Sequence, residues 1–254
     1  MLTKNINFKN FQSGKKLSVV RDLLNSILKK NDEVIKSLRN SYINSYNKKI
    51  FKVFNKKLDF RIIGMGGSTL GAQSIYDFCN KSIKQKFLFI DNLNNQYIKP
   101  HKKSYNNLII SKSGNTIETI VNSNILIKKK DHNLFITENK KNYLKRLAIK
   151  LQSEVVDHNN YIGGRYSVLS EVGMLPAELM GLDPKKFRQL NNIIKNKKFL
   201  NLLTANVSSI IFYLKQKKFN SIIINYDEAS TNLFNWYQQL VAESLGKNNL
   251  GLLP

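Results

Sequence analysis

Ser111-Lys112-Ser113-Gly114-Asn115-Thr116 places hydroxyls, one ammonium and a glycine where an apolar run gives way to a helical pattern. Hydroxyl and backbone donors at the positive end of a helix suit a phosphomonoester, and Lys112 can add a point charge. The competing reading is an ordinary helix start, with a Ser or Thr cap and Glu118 placed to suit the dipole. A second turn, Gly64-Met65-Gly66-Gly67-Ser68, also lies between an apolar run and a helical pattern. Its glycines let backbone N–H groups come close to an anion. Neither turn is a nucleotide loop: Gly64 to Thr69 lacks the GK[ST] ending, and GMGGST departs from GxGxxG.

Three further residues could act on a bound substrate. Arg165 follows Gly163-Gly164, so a guanidinium that is never neutral can approach a negatively charged intermediate. Gln239 and Glu243 are one helical turn apart and share a face. A carboxylate there can serve as a general base, although a lone glutamate is also an ordinary solvated residue. His101, His132 and His158 are scattered without an HxH or HxxxH pair, so no metal site is expected, and all three read as surface or loop histidines. Cys79 sits in an apolar helical pattern and reads as a buried, inert thiol.

The elements that position these residues form a βαβα alternation. Strands are expected at Phe60–Ile63, Phe87–Ile90, Leu108–Ser111, Leu134–Thr137 and Glu154–Val156. Helices are expected at Leu70–Cys79, Thr116–Lys128 and Asn142–Leu151, with a shorter turn at 93–99. This order implies an α/β fold, a doubly wound parallel five-stranded sheet with helices on both faces. Ligands of such sheets bind at the carboxyl ends of the strands, where both glycine turns fall, and their pairing there favours phosphate over simple capping. Residues 1–14 are polar and loosely held, and helices are expected over 17–28 and 34–54. Tyr161 to Leu182, with a helical stretch before Pro176, reads as a connector. Phe187 to Lys217 reads as helical, Ser221–Asn225 as a strand and Leu233–Leu245 as a helix. The resulting division is 1–57 (leading helices), 58–160 (first α/β domain), 161–186 (connector) and 187–254 (an opening βα unit). A single strand cannot bury both faces, so that second domain reads as incomplete and the chain as unfinished at its C-terminus.

With 254 residues, 42% of them hydrophobic, the chain can bury a sizeable core. One cysteine excludes an internal disulfide framework. Lysines break up any N-terminal apolar segment and no run is long enough to span a membrane, so a soluble cytoplasmic protein with no membrane partner is expected. The formal charge of +24 raises the question of nucleic acid. The excess is mostly lysine, spread along the chain beside abundant asparagine and isoleucine as AT-rich codons would give. No basic stripe with interleaved aromatics stands out. We read it as a solvated lysine surface that draws in small anions, with no specific nucleic-acid partner.

GMGGSTLG (64–71), SKSGNTIET (111–119), GGRYSVLSEVGMLP (163–176) and QLVAESLGK (239–247) occur in this order in the glucose-6-phosphate isomerases, and the chain resembles that family, in its shorter bacterial type, over roughly 60–254. The resemblance implies two sugar-isomerase (SIS) domains, a homodimer, and interconversion of glucose 6-phosphate and fructose 6-phosphate without metal or organic cofactor. It also implies that Ser68, Ser111, Lys112, Ser113, Thr116 and Thr119 bind the phosphate, and that Gly67 and Gln239 contact the sugar. Arg165 would stabilise the enediolate, and Glu243 would move the proton between C2 and C1. The family's ring-opening histidine and its C-terminal lysine fall beyond the last residue of this chain, and no histidine here matches that position. A truncated isomerase, inactive alone, is therefore expected. A non-catalytic SIS module that binds phosphosugars is the alternative, and it leaves Glu243 and Arg165 unexplained.

Overall fold

A computed structural model describes residues 17–94, 103–247 and 251–254. The polar stretch 1–14, His101 and most of the turn expected at 93–99 lie outside the described residues. The described residues divide into two compact units, one within 43–184 and 225–240, the other within 17–42, 185–224 and 241–254.

The larger unit is built on five parallel strands: β1 (Phe60–Ile63), β2 (Phe87–Ile90), β3 (Asn106–Ile110), β4 (His132–Thr137) and β5 (Glu154–Asp157). Their spatial order is β2-β1-β3-β4-β5. The order in which strands are added to the sheet therefore reverses about β1, and β1 and β3 pair with Ile63 opposite Ile109. A crevice opens at the carboxyl ends of the two strands flanking such a reversal. Both glycine turns leave the sheet there.

The strands are short apolar runs because both faces are covered, which makes near-continuous burial the stable solution. Ile62, Ile63, Leu108, Ile109, Ile110, Leu134, Phe135 and Ile136 are all fully buried. β3 and β4 each begin two residues earlier than their apolar runs. Asn106, Asn107 and Asn133 are buried there because their amides are used. Asn106 Nδ2 donates to the carbonyl oxygens of Asn55 (2.8 Å) and Leu58 (3.2 Å). Asn107 donates through Nδ2 to Asn133 Oδ1 at 2.8 Å and accepts at Oδ1 from Arg61 Nε at 2.9 Å.

The flanking helices are α3 (Leu70–Phe78), α4 (Ile117–Leu126), α5 (Tyr143–Leu151) and α6 (Glu171–Leu179), which follow α1 (Leu17–Lys29) and α2 (Glu33–Ser37) in the chain. α6 runs through Pro176 and is buried from Glu171 to Ala177. α7 (Pro184–Phe187), α8 (Leu190–Ile193), α9 (Lys197–Lys215) and α10 (Thr231–Leu245) complete the order.

In the smaller unit α1 packs on α9. Arg188 ties this unit internally, donating to the Tyr42 carbonyl oxygen at 3.2 Å and lying over the Tyr42 ring.

Several expectations are corrected. The helix expected over 34–54 stops at Ser37 and resumes as a 3-10 turn at Lys48–Val53. The intervening Asn and Ser residues compete with the helix for backbone partners, as Asn47 does by accepting from Lys49 N at 2.8 Å. The helical run 187–217 is broken before Asn196, whose side chain accepts from Phe199 N at 3.1 Å and starts α9. Ser221–Asn225 forms no strand among the described residues. The nearest pairing is an isolated parallel bridge, Asn220 to Leu253, and Ile222 and Ile224 are 85% and 70% exposed. A ladder needs a neighbouring strand, and none of the described segments supplies one. Cys79 is half-buried at the end of α3 rather than enclosed, with enough burial to push its thiol pKa up. His158 lies in a loop but is only 3% exposed, so it is not a surface residue.

Candidate functional site

The first turn leaves β1 at Gly64 and makes a 3-10 turn over Gly66–Ser68 before α3 begins. Gly66 has φ +54°, a conformation that glycine adopts without steric cost. A Cβ on Gly66 would meet Gln239 Nε2 at 2.9 Å, and a Cβ on Gly67 would stand 2.3 Å from the Gly164 carbonyl carbon and 2.7 Å from Arg165 N. Gly66 is thus favoured by its φ, and Gly67 is required by the close approach of another backbone. Ser167 Oγ donates to the carbonyl oxygens of Gly164 (2.7 Å) and Gly67 (3.2 Å), fastening the two turns together. Trp236 Nε1, on α10, donates to the Arg165 carbonyl oxygen at 3.0 Å. The Arg165 guanidinium carbon lies 4.6 Å from the centroid of the Tyr166 ring.

The second turn leaves β3 beside the first. Ser111 Oγ and Thr116 Oγ1 are 2.9 Å apart, and Ser111 Oγ also accepts from Gly114 N at 3.2 Å. Ser113 is exposed and its Oγ accepts from Asn115 N at 3.2 Å. Gly114 has φ +66° and leaves no room for a side chain, since a Cβ would be 2.2 Å from Asn142 Oδ1. Thr119, the third residue of α4, is buried with no hydrogen-bond partner for its Oγ1 among the described residues.

Lys112 Nζ donates to the Asn160 carbonyl oxygen at 2.7 Å and stands 3.5 Å from Glu138 Oε1. Glu138 is also paired with Lys140. Burial alone would raise the Glu138 pKa, but the hydrogen bond from Lys140 and the charge of Lys112 outweigh it and hold the carboxyl below its ordinary value. His158 follows β5, and its Nδ1 is 2.9 Å from the Asn159 carbonyl oxygen and 3.9 Å from Glu171 Oε1. Burial pushes its pKa down, helped by the charge of Lys112 and opposed by the Asn159 carbonyl and the carboxylates of Glu171 and Glu138.

Of the residues singled out from sequence, the larger unit brings together Gly67, Ser68, Arg165 and Gln239. It places Ser111, Lys112, Ser113, Thr116 and Thr119 on the turn and helix that follow the adjacent strand. Glu243 is exposed, one turn beyond Gln239 on α10, and belongs to the smaller unit. The sequence reading missed the supports of the site: Ser167, Glu138, Asn142 and Asn160. Asn142 carried a signal, an asparagine at a helix start. Glu138 and Asn160 carried none, because their roles depend on strands distant in sequence.

No cluster of three or more His, Cys, Asp or Glu side chains that could hold a metal ion occurs among the described residues. No described helix is long and apolar enough to cross a membrane.

The arrangement is a pair of glycine-containing turns at the point where the strand order reverses, with an arginine on a third turn packed against the first. Residues 18–250 match the family model described as phosphoglucose isomerase. The chain is 36% identical over 223 residues to a glucose-6-phosphate isomerase of Methanocaldococcus jannaschii, covering 80% of this chain and 54% of that protein. It thus spans about half the length of the curated relatives it matches. A hypothetical protein from Thermus thermophilus superposes with a TM-score of 0.70 at 22% identity, over 93% of this chain and 62% of that one. The tagatose-6-phosphate ketose/aldose isomerase of Escherichia coli superposes with a TM-score of 0.53 at 13% identity, over 91% and 58%. At such identities the two structural likenesses establish the fold. The match to the family model along most of its length places this chain in the phosphoglucose isomerase family.

Proposed function

We propose that this chain belongs to a glucose-6-phosphate isomerase, an aldose–ketose isomerase that interconverts glucose 6-phosphate and fructose 6-phosphate in glycolysis and gluconeogenesis. One observation carries the reading. The turns at 64–68 and 111–116 leave adjacent strands at the sheet reversal, and the Gly164–Arg165 backbone is packed on Gly67.

In this reading the phosphate sits on the 111–116 turn and the start of α4, with Ser68, Ser111, Ser113, Thr116 and Thr119 around it and Lys112 contributing through its main chain. Hydroxyl and backbone donors supply charge-assisted hydrogen bonds. Gly67 and Gln239 contact the sugar. Glu243 takes the proton from C2 of the open-chain aldose, and the electrons form a cis-enediolate. The C2 hydroxyl proton passes to the C1 oxygen and the same carboxyl returns its proton to C1, giving the ketose. Arg165 stabilises the negative charge that develops on the enediolate oxygen. Neither step draws on an external oxidant or reductant.

The same reading takes residues 58–160 as the first phosphosugar-binding domain, 161–186 as a connector and 187–254 as the start of a second SIS domain. The working assembly is a homodimer in the cytoplasm.

The test is sugar-phosphate binding by calorimetry, together with incorporation of solvent deuterium at C2 of glucose 6-phosphate. Binding of both hexose 6-phosphates, with glucose much weaker, is expected. Glu243→Gln should abolish the exchange and keep the binding. Failure to bind either phosphosugar, or exchange that survives Glu243→Gln, overturns the proposal.

A further inference from the structure

We propose that Glu138 is a positioning residue for Arg165, acting through Lys112 and the loop 158–162. The inference rests on the functional reading above for what Arg165 does, and on geometry for how it is held. Lys112 is the one cation of the 111–116 turn, and its ammonium is turned to protein groups: the Asn160 carbonyl oxygen at 2.7 Å and Glu138 Oε1 at 3.5 Å. Its carbonyl oxygen accepts from Glu138 N (3.1 Å) and Thr137 Oγ1 (3.3 Å). Lys112 is therefore fixed at its main chain to the end of β4 and at its ammonium to the loop after β5.

That loop is itself held at several points. His158 N donates to the Thr137 carbonyl oxygen at 2.9 Å. Asn159 N donates to Glu171 Oε1 at 2.7 Å, and Glu171 is fully buried at the start of α6. Tyr161 N and Ile162 N return to Asn159, at Oδ1 (3.0 Å) and at the carbonyl oxygen (3.1 Å). Gly163 follows directly, and then Gly164 and Arg165, whose backbone lies against Gly67.

Lys112 thus links the phosphate turn to the turn that presents Arg165. Glu138, only 6% exposed and shared with Lys140, supplies the buried counter-charge that helps keep the ammonium there. On this assignment the turn offers an anion its backbone and hydroxyls, while the lysine charge works as a strut.

The test uses the 254-residue chain and Glu138→Gln, which keeps the shape and removes the charge. Hydrogen exchange is read at the amides of residues 160–164. Calorimetry uses two probes: inorganic phosphate, and a phosphorylated aldonate whose carboxylate stands where enediolate charge develops. In Glu138→Gln the loop amides should exchange about tenfold faster. The phosphorylated aldonate should bind about tenfold more weakly, the scale of one hydrogen bond to a charged group, while inorganic phosphate changes less than about threefold. Unchanged exchange at 160–164 overturns the strut. So does an equal loss for both probes, which would put the effect on phosphate itself. If the wild-type chain binds neither probe, it is the functional reading that fails, and the exchange measurement alone decides the strut.

Discussion

His158 shows how one buried side chain couples this site to pH. Its imidazole is buried next to Glu171 and within the influence of Lys112 and Glu138, and its pKa is lowered from 6.5 in the fold. Above that value the folded and unfolded chains both carry a neutral imidazole. As pH falls through it, the unfolded chain takes up a proton that the native chain resists, so native stability declines. Glu138 acts in the same direction at lower pH. Its carboxyl lies below 4.5 in the fold, so its stabilisation is present above 4.5 and is lost as pH falls through the lowered value. We expect the melting temperature to drop between about pH 7.5 and 5.5, and to drop less in His158→Gln, since only the unfolded wild type gains the extra proton there. Scanning calorimetry across that range checks it, and parallel profiles for the two proteins would count against it.

At the scale of elements, the 111–116 turn owes its shape to the helix that follows the next strand. Asn142 caps α5 by accepting from Lys145 N at 2.8 Å. Its amide donates to Thr137 Oγ1 (3.0 Å), the Glu138 carbonyl oxygen (3.4 Å) and the Lys140 carbonyl oxygen (3.2 Å). The same residue fills the space beside Gly114, while Leu144 N donates to the Gly114 carbonyl oxygen at 3.1 Å. Asn142→Ala removes a cap and several buried donor contacts at once. It should cost about 2–3 kcal/mol in urea unfolding. Sugar-phosphate affinity should fall with it, because the 111–116 turn loses its backing. Asn142→Asp, which keeps the cap acceptor and loses the donors, should recover part of the stability. No difference between the two variants would mean that the cap contributes nothing.

For the whole molecule the dominant physical fact is the +24 charge. Such a field concentrates small anions and raises their association rate, and salt screens it over a Debye length of about 8 Å at physiological strength. Association of hexose 6-phosphates, followed by stopped flow, should therefore slow severalfold between about 20 and 300 mM salt, with dissociation changing less. A flat salt profile would show that the lysines are too dispersed to steer. Arbitrary duplex DNA should bind only weakly under the same conditions.

The apolar runs, the glycine turns and the helical spacing determine five strands, their parallel arrangement and the two turns at their carboxyl ends. These are local patterns: period, run length and turn residues are written in neighbouring positions. The buried starts of β3 and β4 were not legible, because Asn106, Asn107 and Asn133 are polar by type and become core residues only through partners elsewhere in the sheet. The breaks in the helices expected at 34–54 and 187–217 have a related cause, since asparagine and serine side chains can take backbone partners in place of the helix. Ser221–Asn225 had the composition of a strand, but strand formation also requires a neighbour. At the site, sequence named the residues that would face a substrate. The tertiary structure decided what holds them: Gly67 against Gly164 and Arg165, Asn142 behind Gly114, and Glu138 with Asn160 around Lys112. Such supports join positions from separate strands and turns, and only the folded chain brings them within hydrogen-bonding distance.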